Sequence, residues 1–312
     1  MSSTNSRFQP ASRPIRCSVR RGVALPEVVL VVVIISLAFL LLLFRMPRGR
    51  EQSRAMTCLS NLGQIGQAIS YYSQATGQYP TSPGWGPGAA GAGTSVLWNL
   101  RDTLQVKDFS SIASQLKAKK AGDGKGLPSV VVGLRCPSDR VMEPLTATNY
   151  RANAGDDSTG RSGPFGIGQV VSPKQVEAGD GQAFTAAFGE RLIGNGKPES
   201  SMANYQLTED CSSAIAASVA TDNESLWKGN AGHEWSRGDW SQSLYQHGIT
   251  PNWRRSAVAM EGNCGQMGLS SDHPGVVNLL MLDGSAKAWR DSVNPKIWSK
   301  LGRFDDGQTG SN

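Results

Sequence analysis

The chain has 312 residues, enough for one large domain or two small ones, and its formal net charge is +6. Five of the positive charges are arginines in the first 22 residues, a segment without Asp or Glu, so the remaining chain carries a formal charge of only +1. The basic pI therefore describes the N-terminal segment, and the charge of the remaining chain gives no support to a nucleic-acid-binding surface.

An apolar run follows this basic segment. The residues from Val28 to Phe44 contain Ser36 as their only polar side chain, and a carboxylate, Glu27, directly precedes them. A secretory signal peptide has a shorter apolar region and a small-residue cleavage site, and no A-x-A pattern follows here. A plain transmembrane anchor fits the length of the segment from Val23 to Phe44. It leaves Glu27 unexplained, since burying a carboxylate in a membrane costs at least about 2.5 kcal/mol.

The order of residues around Glu27 supports a third interpretation. A basic stretch, Gly22, four further residues, Glu27 and an apolar helix follow one another. This order resembles the N-terminal signal of type IV prepilins and of the pseudopilins of type II secretion systems. Gly22, Leu25, Pro26 and Glu27 match the pattern of that family, whereas the two residues after Gly22 differ from its preferred Phe and Thr.

The resemblance implies a processing step and a set of partners. A prepilin peptidase/methyltransferase would cut between Gly22 and Val23 and methylate the new N-terminus. Glu27 would then stand at mature position five, where that family uses the carboxylate to neutralise the terminal amine of a neighbouring subunit. The implied partners are therefore this peptidase, other pilin-like subunits and the inner membrane.

The arginines before the apolar run predict the orientation of the chain. Positive charges stay on the cytoplasmic side of a membrane-spanning segment, so the N-terminus is expected in the cytoplasm. We therefore expect a single-pass inner-membrane protein whose C-terminal domain is periplasmic or otherwise extracytoplasmic.

The helical pattern continues beyond the run. Between Arg50 and Tyr72 apolar side chains recur at intervals of three and four residues, and the pattern ends at Gly77 and Pro80. One long helix from about Pro26 to Tyr72 is therefore predicted, with a kink or break at Pro47. A helix with an apolar half and an amphipathic half is the architecture of pilin-like proteins.

The later part of the chain consists of predicted loops and strands. Its composition and spacing predict loops at 80–94 and 117–128, with helical spacing between them at 106–116. Apolar runs predict strands at 129–134, 183–189, 275–282 and 285–290.

These elements define the expected fold and its parts. The fold class is α+β, with a long N-terminal pilin-like helix packed on a loop-rich, largely antiparallel β domain. The parts are a cytoplasmic leader at 1–22, a transmembrane half-helix at 23–45, an amphipathic continuation at 46–79 and an extracytoplasmic domain at 80–312.

Four cysteines remain after the expected cleavage, because Cys17 lies in the leader. They are Cys58, Cys136, Cys211 and Cys264, an even number on the side of the membrane where disulfides form. Four cysteines allow three connectivities, of which we favour Cys58 with Cys136 and Cys211 with Cys264. Free buried thiols are the alternative.

A short box occurs near the C-terminus. In HPGVVNLLMLDG (273–284), nine residues separate His273 from Asp283-Gly284, and Asp-Gly between apolar runs predicts a two-residue type I′ hairpin. With CPSD (136–139), NYRANAG (149–155) and AFGE (187–190), this box resembles a large bacterial family of unknown function with a prepilin-type N-terminus. The resemblance implies a pseudopilin-like envelope protein without an established catalytic activity.

His273 can be given a chemical role or a structural one. With Asp283 or a cysteine it could form a nucleophilic or metal site. The chain has only three histidines, however, and neither an H-E-x-x-H nor a C-x-x-C motif. We therefore expect no catalytic residue, no metal and no cofactor, with Asp283 and Gly284 forming the turn and His273 fixing a loop.

Two functions of different classes remain. The first is a structural or minor subunit of a type II secretion or type IV pilus-like assembly, which Glu27 favours because a plain anchor does not need the acid. The second is a membrane-anchored extracytoplasmic binding module that uses the prepilin export route without forming a filament, which the large domain favours. An enzyme is not expected, and the sequence does not identify a ligand.

Overall fold

The structure is a computed structural model that describes residues 24–82, 93–104, 132–141, 143–219, 226–259 and 264–307, without the side chains of 41–48. The predicted leader at 1–22, Val23, the predicted helix at 106–116, the loop at 117–128 and most of the loop at 80–94 lie outside these residues. The chain forms two units, Met1–Gly49 and Arg50–Asn312.

The longest helix, α1, spans Leu25–Thr76 and has 52 residues. It ends where Gly77 takes a φ of +75° and donates its N–H to the carbonyl of Ser73, a conformation that glycine adopts without steric cost. The predicted long helix is therefore confirmed, with slightly wider bounds. Among the helices of the described residues, none has the length together with the apolar character that a membrane span requires. The transmembrane half at 23–45 stays a prediction.

The part of α1 that follows Gly49 belongs to the second unit and buries one face there. Leu62, Ile65 and Ile69, spaced three and four residues apart, are at most 2% exposed. They share a core cluster with Phe188 and Leu280. Full burial of such side chains stabilises by about 1.5–3 kcal/mol each, so packing rather than helix propensity holds this part of α1 in place.

The described residues form nine strands, most of them short: β1 (Tyr150–Asn153), β2 (Ala186–Glu190), β3 (Tyr205–Thr208), β4 (Trp227–Lys228), β5 (Leu244–Tyr245), β6 (Ala257–Ala259), β7 (Gly265–Gln266), β8 (Val276–Met281) and β9 (Ala286–Arg290). They make two sheets, in the orders β5-β1-β2-β8-β9 and β4-β3-β6-β7. Neighbours are antiparallel except for two parallel pairs, β1 with β5 and β3 with β6. The expected α+β class is confirmed, with mixed sheets.

Short helices connect the strands: α2 (Val96–Asn99), a 3₁₀ turn (Val132–Leu134), α3 (Pro173–Ala178), α4 (Cys211–Val219) and α5 (Pro295–Lys300). The 3₁₀ turn corrects the strand predicted at 129–134, of which 129–131 lie outside the described residues. The carbonyl of Leu134 accepts the N–H of Asn149, and the N–H of Cys136 donates to the side chain of Asn149. The chain therefore closes a tight turn at 132–134 and bonds to the residue before β1, and it does not pair along a neighbouring strand there.

Both favoured disulfides are present in the structure. Cys58 on α1 is bonded to Cys136, and Cys211 at the start of α4 is bonded to Cys264 just before β7. The bonds close loops with sequence separations of 78 and 53 residues. By the chain-entropy argument each stabilises the fold by roughly 4–5 kcal/mol. The first joins the part of α1 that follows Gly49 to the segment that carries Cys136.

The hairpin between β8 and β9 is present, but its turn differs from the prediction. Gly284 has a φ of +86°, whereas Asp283 is not among the described non-glycine residues with positive φ, so a type I′ turn is excluded. The N–H of Gly284 donates to Met281 O at 3.0 Å, and the N–H of Met281 donates to Ser285 O at 2.8 Å. This is a three-residue loop with glycine in the left-handed position. The N–H groups of Leu282 and Asp283 donate to the segment before β2, which holds the longer loop in place.

Candidate functional site

Glu27 lies in the first turn of α1, in the first unit. Its Oε2 accepts a hydrogen bond from the backbone N–H of Ala24 at 3.2 Å. The first turn of a helix has N–H groups without helical partners and a partial positive charge, so a carboxylate is favoured at this position. The predicted processing residues Gly22 and Val23 lie outside the described residues.

The same unit presents a continuous apolar surface around α1. Its large apolar side chains from Val28 to Leu40 are all about half exposed or more, and the least exposed of them, Val33, is 48% exposed. Apolar surface of this extent marks a site of contact with another apolar surface, either a membrane or a protein.

A second candidate site lies inside the second unit, around His273. The imidazole is 3% exposed, and its Nδ1 lies 2.7 Å from Oε1 of Glu51. Its Nε2 lies 3.4 Å from Oε1 of Glu190 and 3.5 Å from Sγ of Cys136. We call His273, Glu51, Glu190 and the Cys58–Cys136 disulfide the His273 cluster.

Four segments of the chain position this cluster. Glu51 lies on α1 and also accepts a hydrogen bond from the hydroxyl of Ser138 at 2.8 Å. Glu190 is the last residue of β2, and its Oε2 accepts a hydrogen bond from the amide of Asn278 on β8 at 2.9 Å. His273 stands just before β8, and Cys136 follows the 3₁₀ turn. The cluster therefore joins the N-terminal helix, the central strands of the larger sheet and the loop that carries Cys136.

Burial and the two glutamates act in opposite directions on the pKa of His273. Burial is the largest single influence and lowers the pKa of the imidazole, but the hydrogen bonds and charges of Glu190 and Glu51 together raise this pKa above its ordinary value. In the protonated ring both nitrogens are donors, and each then has a carboxylate as its acceptor. In the disulfide form the surroundings therefore favour the protonated ring, which lies between the buried Glu190 and the partly exposed Glu51.

Asp139 supports the cluster from the side. Its Oδ2 accepts hydrogen bonds from Nδ2 of Asn149 at 2.6 Å and from the backbone N–H of Ile193 at 2.9 Å. Asn149 in turn accepts the N–H of Cys136 at 2.9 Å. The segments 136–139 and 149–155, which the sequence analysis singled out, therefore meet beside the disulfide.

The two ends of the C-terminal box do not meet. His273 precedes β8 and Asp283 follows it, so the strand separates them. Oδ1 of Asp283 accepts the N–H of Ser285 at 2.8 Å, which is a local turn contact. The sequence analysis missed the partners that His273 does have, Glu51 and Glu190. AFGE was noted there as a motif without a role, and Glu51 was not singled out.

A protein-family model described as protein of unknown function (DUF1559) matches residues 47–296, which is most of the chain. The chain belongs to the DUF1559 family. Comparison with curated proteins and with solved structures finds no significant match. The predicted membership in a large family of unknown function is thus confirmed, and the prepilin-type motif lies before the matched residues.

The DUF1559 region contains all members of the His273 cluster and also a second contact between the C-terminal box and α1. A Cβ placed on Gly66 of α1 would lie 3.3 Å from Cα of Gly284 and 3.0 Å from Cδ1 of Leu280. The box therefore contacts α1 at both of its ends, through His273 to Glu51 and through the turn to Gly66.

This close contact predicts opposite effects for two glycines of one helix. We expect Gly66→Leu to lower the free energy of unfolding by about 1–3 kcal/mol, because the new side chain must displace Leu280 and the turn. Gly63, one turn earlier, has no atom within 4 Å of an added Cβ, so Gly63→Leu should be neutral or stabilising by up to about 1 kcal/mol. Urea unfolding of both variants measures the difference, and equal effects would contradict the contact.

Proposed function

We propose that the chain is a prepilin-processed, pseudopilin-like envelope protein that acts as a structural or minor subunit of a type II secretion or type IV pilus-like assembly. The observation that carries the proposal is the position of Glu27. Glu27 lies in the first turn of α1, and its carboxylate accepts a hydrogen bond from the N–H of Ala24. Ala24 directly follows Val23, the residue at which the mature chain would begin. A carboxylate placed here can bind a terminal amine, since opposite charges attract strongly in apolar surroundings.

Two further features support this role. The exposed apolar side chains from Val28 to Leu40 give the helix a surface that a membrane or neighbouring helices can cover. The two disulfides favour an oxidising compartment outside the cytoplasm, where a prepilin-like orientation would place the domain. We also propose a non-catalytic role for His273, because both of its ring nitrogens face carboxylates and its neighbouring sulfur belongs to a disulfide.

A membrane-anchored binding module is the second candidate. The size of the second unit, Arg50–Asn312, favours it, because a filament subunit does not require a domain this large. In this case the peptidase would process the chain, but the Glu27 carboxylate would have no partner in a neighbouring subunit. Neither candidate involves a nucleic acid, and the ligand of such a module is not identified by its surface chemistry.

The processing step and the assembly step can be tested separately. N-terminal mass spectrometry of the protein from its native membrane should find an N-methylated Val23, and an intact Met1 would contradict processing. Glu27→Ala should leave cleavage and membrane recovery intact but reduce cross-linked oligomers by at least about 100-fold, since removing one partner of a buried ion pair costs about 3–5 kcal/mol.

Ser36→Ala is the matched control for Glu27→Ala. It changes the polar side chain of the same apolar run without removing a charge, so its oligomers should equal those of the wild type. Oligomers that persist in Glu27→Ala would instead favour the binding module.

A further inference from the structure

The His273 cluster brings together the donor atoms of a metal site. Ligand atoms of Cys58, Cys136, Glu190 and His273 all lie within 4.8 Å of one another, and all four residues are buried. Two thiolates, an imidazole and a carboxylate are ligands that Zn²⁺ takes in tetrahedral sites. Within the described residues no other group of this kind is found.

The distances around His273 fit a zinc tetrahedron. With Zn–S of about 2.3 Å and Zn–N and Zn–O of about 2.0–2.2 Å, the N···S and N···O edges of a tetrahedron are roughly 3.5 and 3.4 Å. The Nε2 of His273 lies 3.5 Å from Sγ of Cys136 and 3.4 Å from Oε1 of Glu190. The edge between the two sulfurs would be about 3.8 Å. These sulfurs are bonded in the structure, so the disulfide must be opened before a metal binds.

The surrounding residues orient these donors as they do in zinc sites. Metal-bound histidines usually donate their second ring N–H to a carboxylate, and the partner of Nδ1 here is Glu51 at 2.7 Å. This bond directs the Nε2 lone pair of the neutral ring toward the sulfurs. Glu190 is oriented by the amide of Asn278, which occupies its other oxygen at 2.9 Å.

We propose that the Cys58–Cys136 disulfide is one of two exclusive states of this cluster, and that its thiol state binds Zn²⁺ through Cys58, Cys136, Glu190 and Nε2 of His273. A dithiol reductant opens the bond by giving two electrons and two protons and becomes a disulfide itself. Zn²⁺ then replaces the two thiol protons and the Nε2 proton of a protonated His273, all of which pass to water, and binds the neutral ring through Nε2. In both states α1 is tied to Cys136, first by a covalent bond and then by the metal. The proposal does not depend on a role in a filament.

The test uses the full chain in detergent, reduced with a phosphine under anaerobic conditions and then freed of reductant. With Zn²⁺ added we expect one bound ion per chain, and with Co²⁺ an intense thiolate charge-transfer absorption. The disulfide form should bind neither ion at this site. A reduced chain that keeps its circular dichroism spectrum but binds no Zn²⁺ and shows no cobalt band would overturn the proposal.

Variants assign the ligands and separate them from the residues that only position them. Cys136→Ser and His273→Gln should weaken binding by at least 100-fold. Glu51→Gln should weaken it by about 10- to 100-fold with one ion still bound, because Glu51 orients the ring without touching the metal. If His273→Gln fails to fold, the Glu51→Gln result and the wild-type cobalt spectrum decide the question.

The other disulfide supplies the matched control. The double variant Cys211→Ser, Cys264→Ser removes both thiols of a pair that belongs to no donor cluster among the described residues. It should bind Zn²⁺ as the wild type does. If this variant loses the cobalt band and Cys136→Ser keeps it, the metal binds at Cys211 and Cys264, and the proposed site at the His273 cluster is rejected.

Discussion

Replacement of Asp139 by alanine is expected to lower the free energy of unfolding by about 3–5 kcal/mol. The carboxylate is 9% exposed and accepts hydrogen bonds from Nδ2 of Asn149 and from the backbone N–H of Ile193, both of which are fully buried. Each buried donor left without an acceptor costs about 1–3 kcal/mol, and a charged acceptor raises the loss. Chemical unfolding followed by circular dichroism measures this change.

Asp283→Ala is the matched control for this prediction. Asp139 and Asp283 make the same local contact, in which Oδ1 accepts the N–H two residues later, at 3.0 Å from Val141 and 2.8 Å from Ser285. Asp283 lies in an exposed turn and its carboxylate has no buried donor among its described contacts, so its loss should cost less than about 1 kcal/mol. If both variants lose the same stability, the buried contacts of Asp139 contribute nothing.

The stability of the domain is expected to fall as the pH falls from about 6.5 toward 3, because His247 stays neutral in the folded protein. Burial lowers the pKa of its imidazole to about 3, and the hydrogen bond to the carbonyl of Trp298 opposes this only in part. Its Nδ1 lies 2.9 Å from that carbonyl and its Nε2 lies 3.0 Å from the hydroxyl of Tyr245, so the neutral ring is satisfied at both ends.

The sign follows from the proton uptake of the two states. Below about pH 6.5 His247 is protonated in the unfolded chain, whereas in the folded chain it stays neutral down to about pH 3. Each unit by which the pH falls in this range therefore lowers the free energy of unfolding by up to about 1.4 kcal/mol. The slope between pH 6.5 and 5 is the informative quantity, since most carboxylates titrate lower. His247→Gln can still donate to Trp298 but does not titrate in this range, so its slope should be flatter. Parallel slopes for the variant and the wild type would reject this origin.

The sequence predicted the elements whose pattern is long or strongly apolar. Helix α1, the strands β2, β8 and β9, and both disulfides were expected close to where they are. The strands β1 and β3 to β7 were missed because they are only two to four residues long, and β1 contains a buried Arg and Asn that mimic a loop. Their conformation comes from pairing with distant strands rather than from their own residues.

The candidate site was harder to predict than the fold. The members of the His273 cluster come from positions 51, 58, 136, 190 and 273, and only Glu51 and Cys58, seven residues apart on α1, are close in the sequence. No metal was expected because the sequence lacks C-x-x-C and H-E-x-x-H motifs. Their absence, however, excludes only sites whose ligands are close together in the sequence. The motifs CPSD, NYRANAG and AFGE have no assigned contacts in the sequence. In the structure they meet through the pairing of β1 with β2 and through the hydrogen bonds of Asn149 with Cys136 and Asp139.

The bond between Glu51 and His273 also has a consequence for the time course of synthesis. The two residues are separated by 222 positions in the sequence, so at about 5–20 residues per second a ribosome makes the second roughly 10–45 s after the first. During this interval α1 can form, but the imidazole that connects it to Glu190 does not yet exist. A chain that stops before residue 273 lacks the contacts of α1 with His273 and Leu280 and keeps only its earlier ones, such as the bond to Cys136. Its N-terminal helix should therefore be cut by proteases faster than that of the full chain.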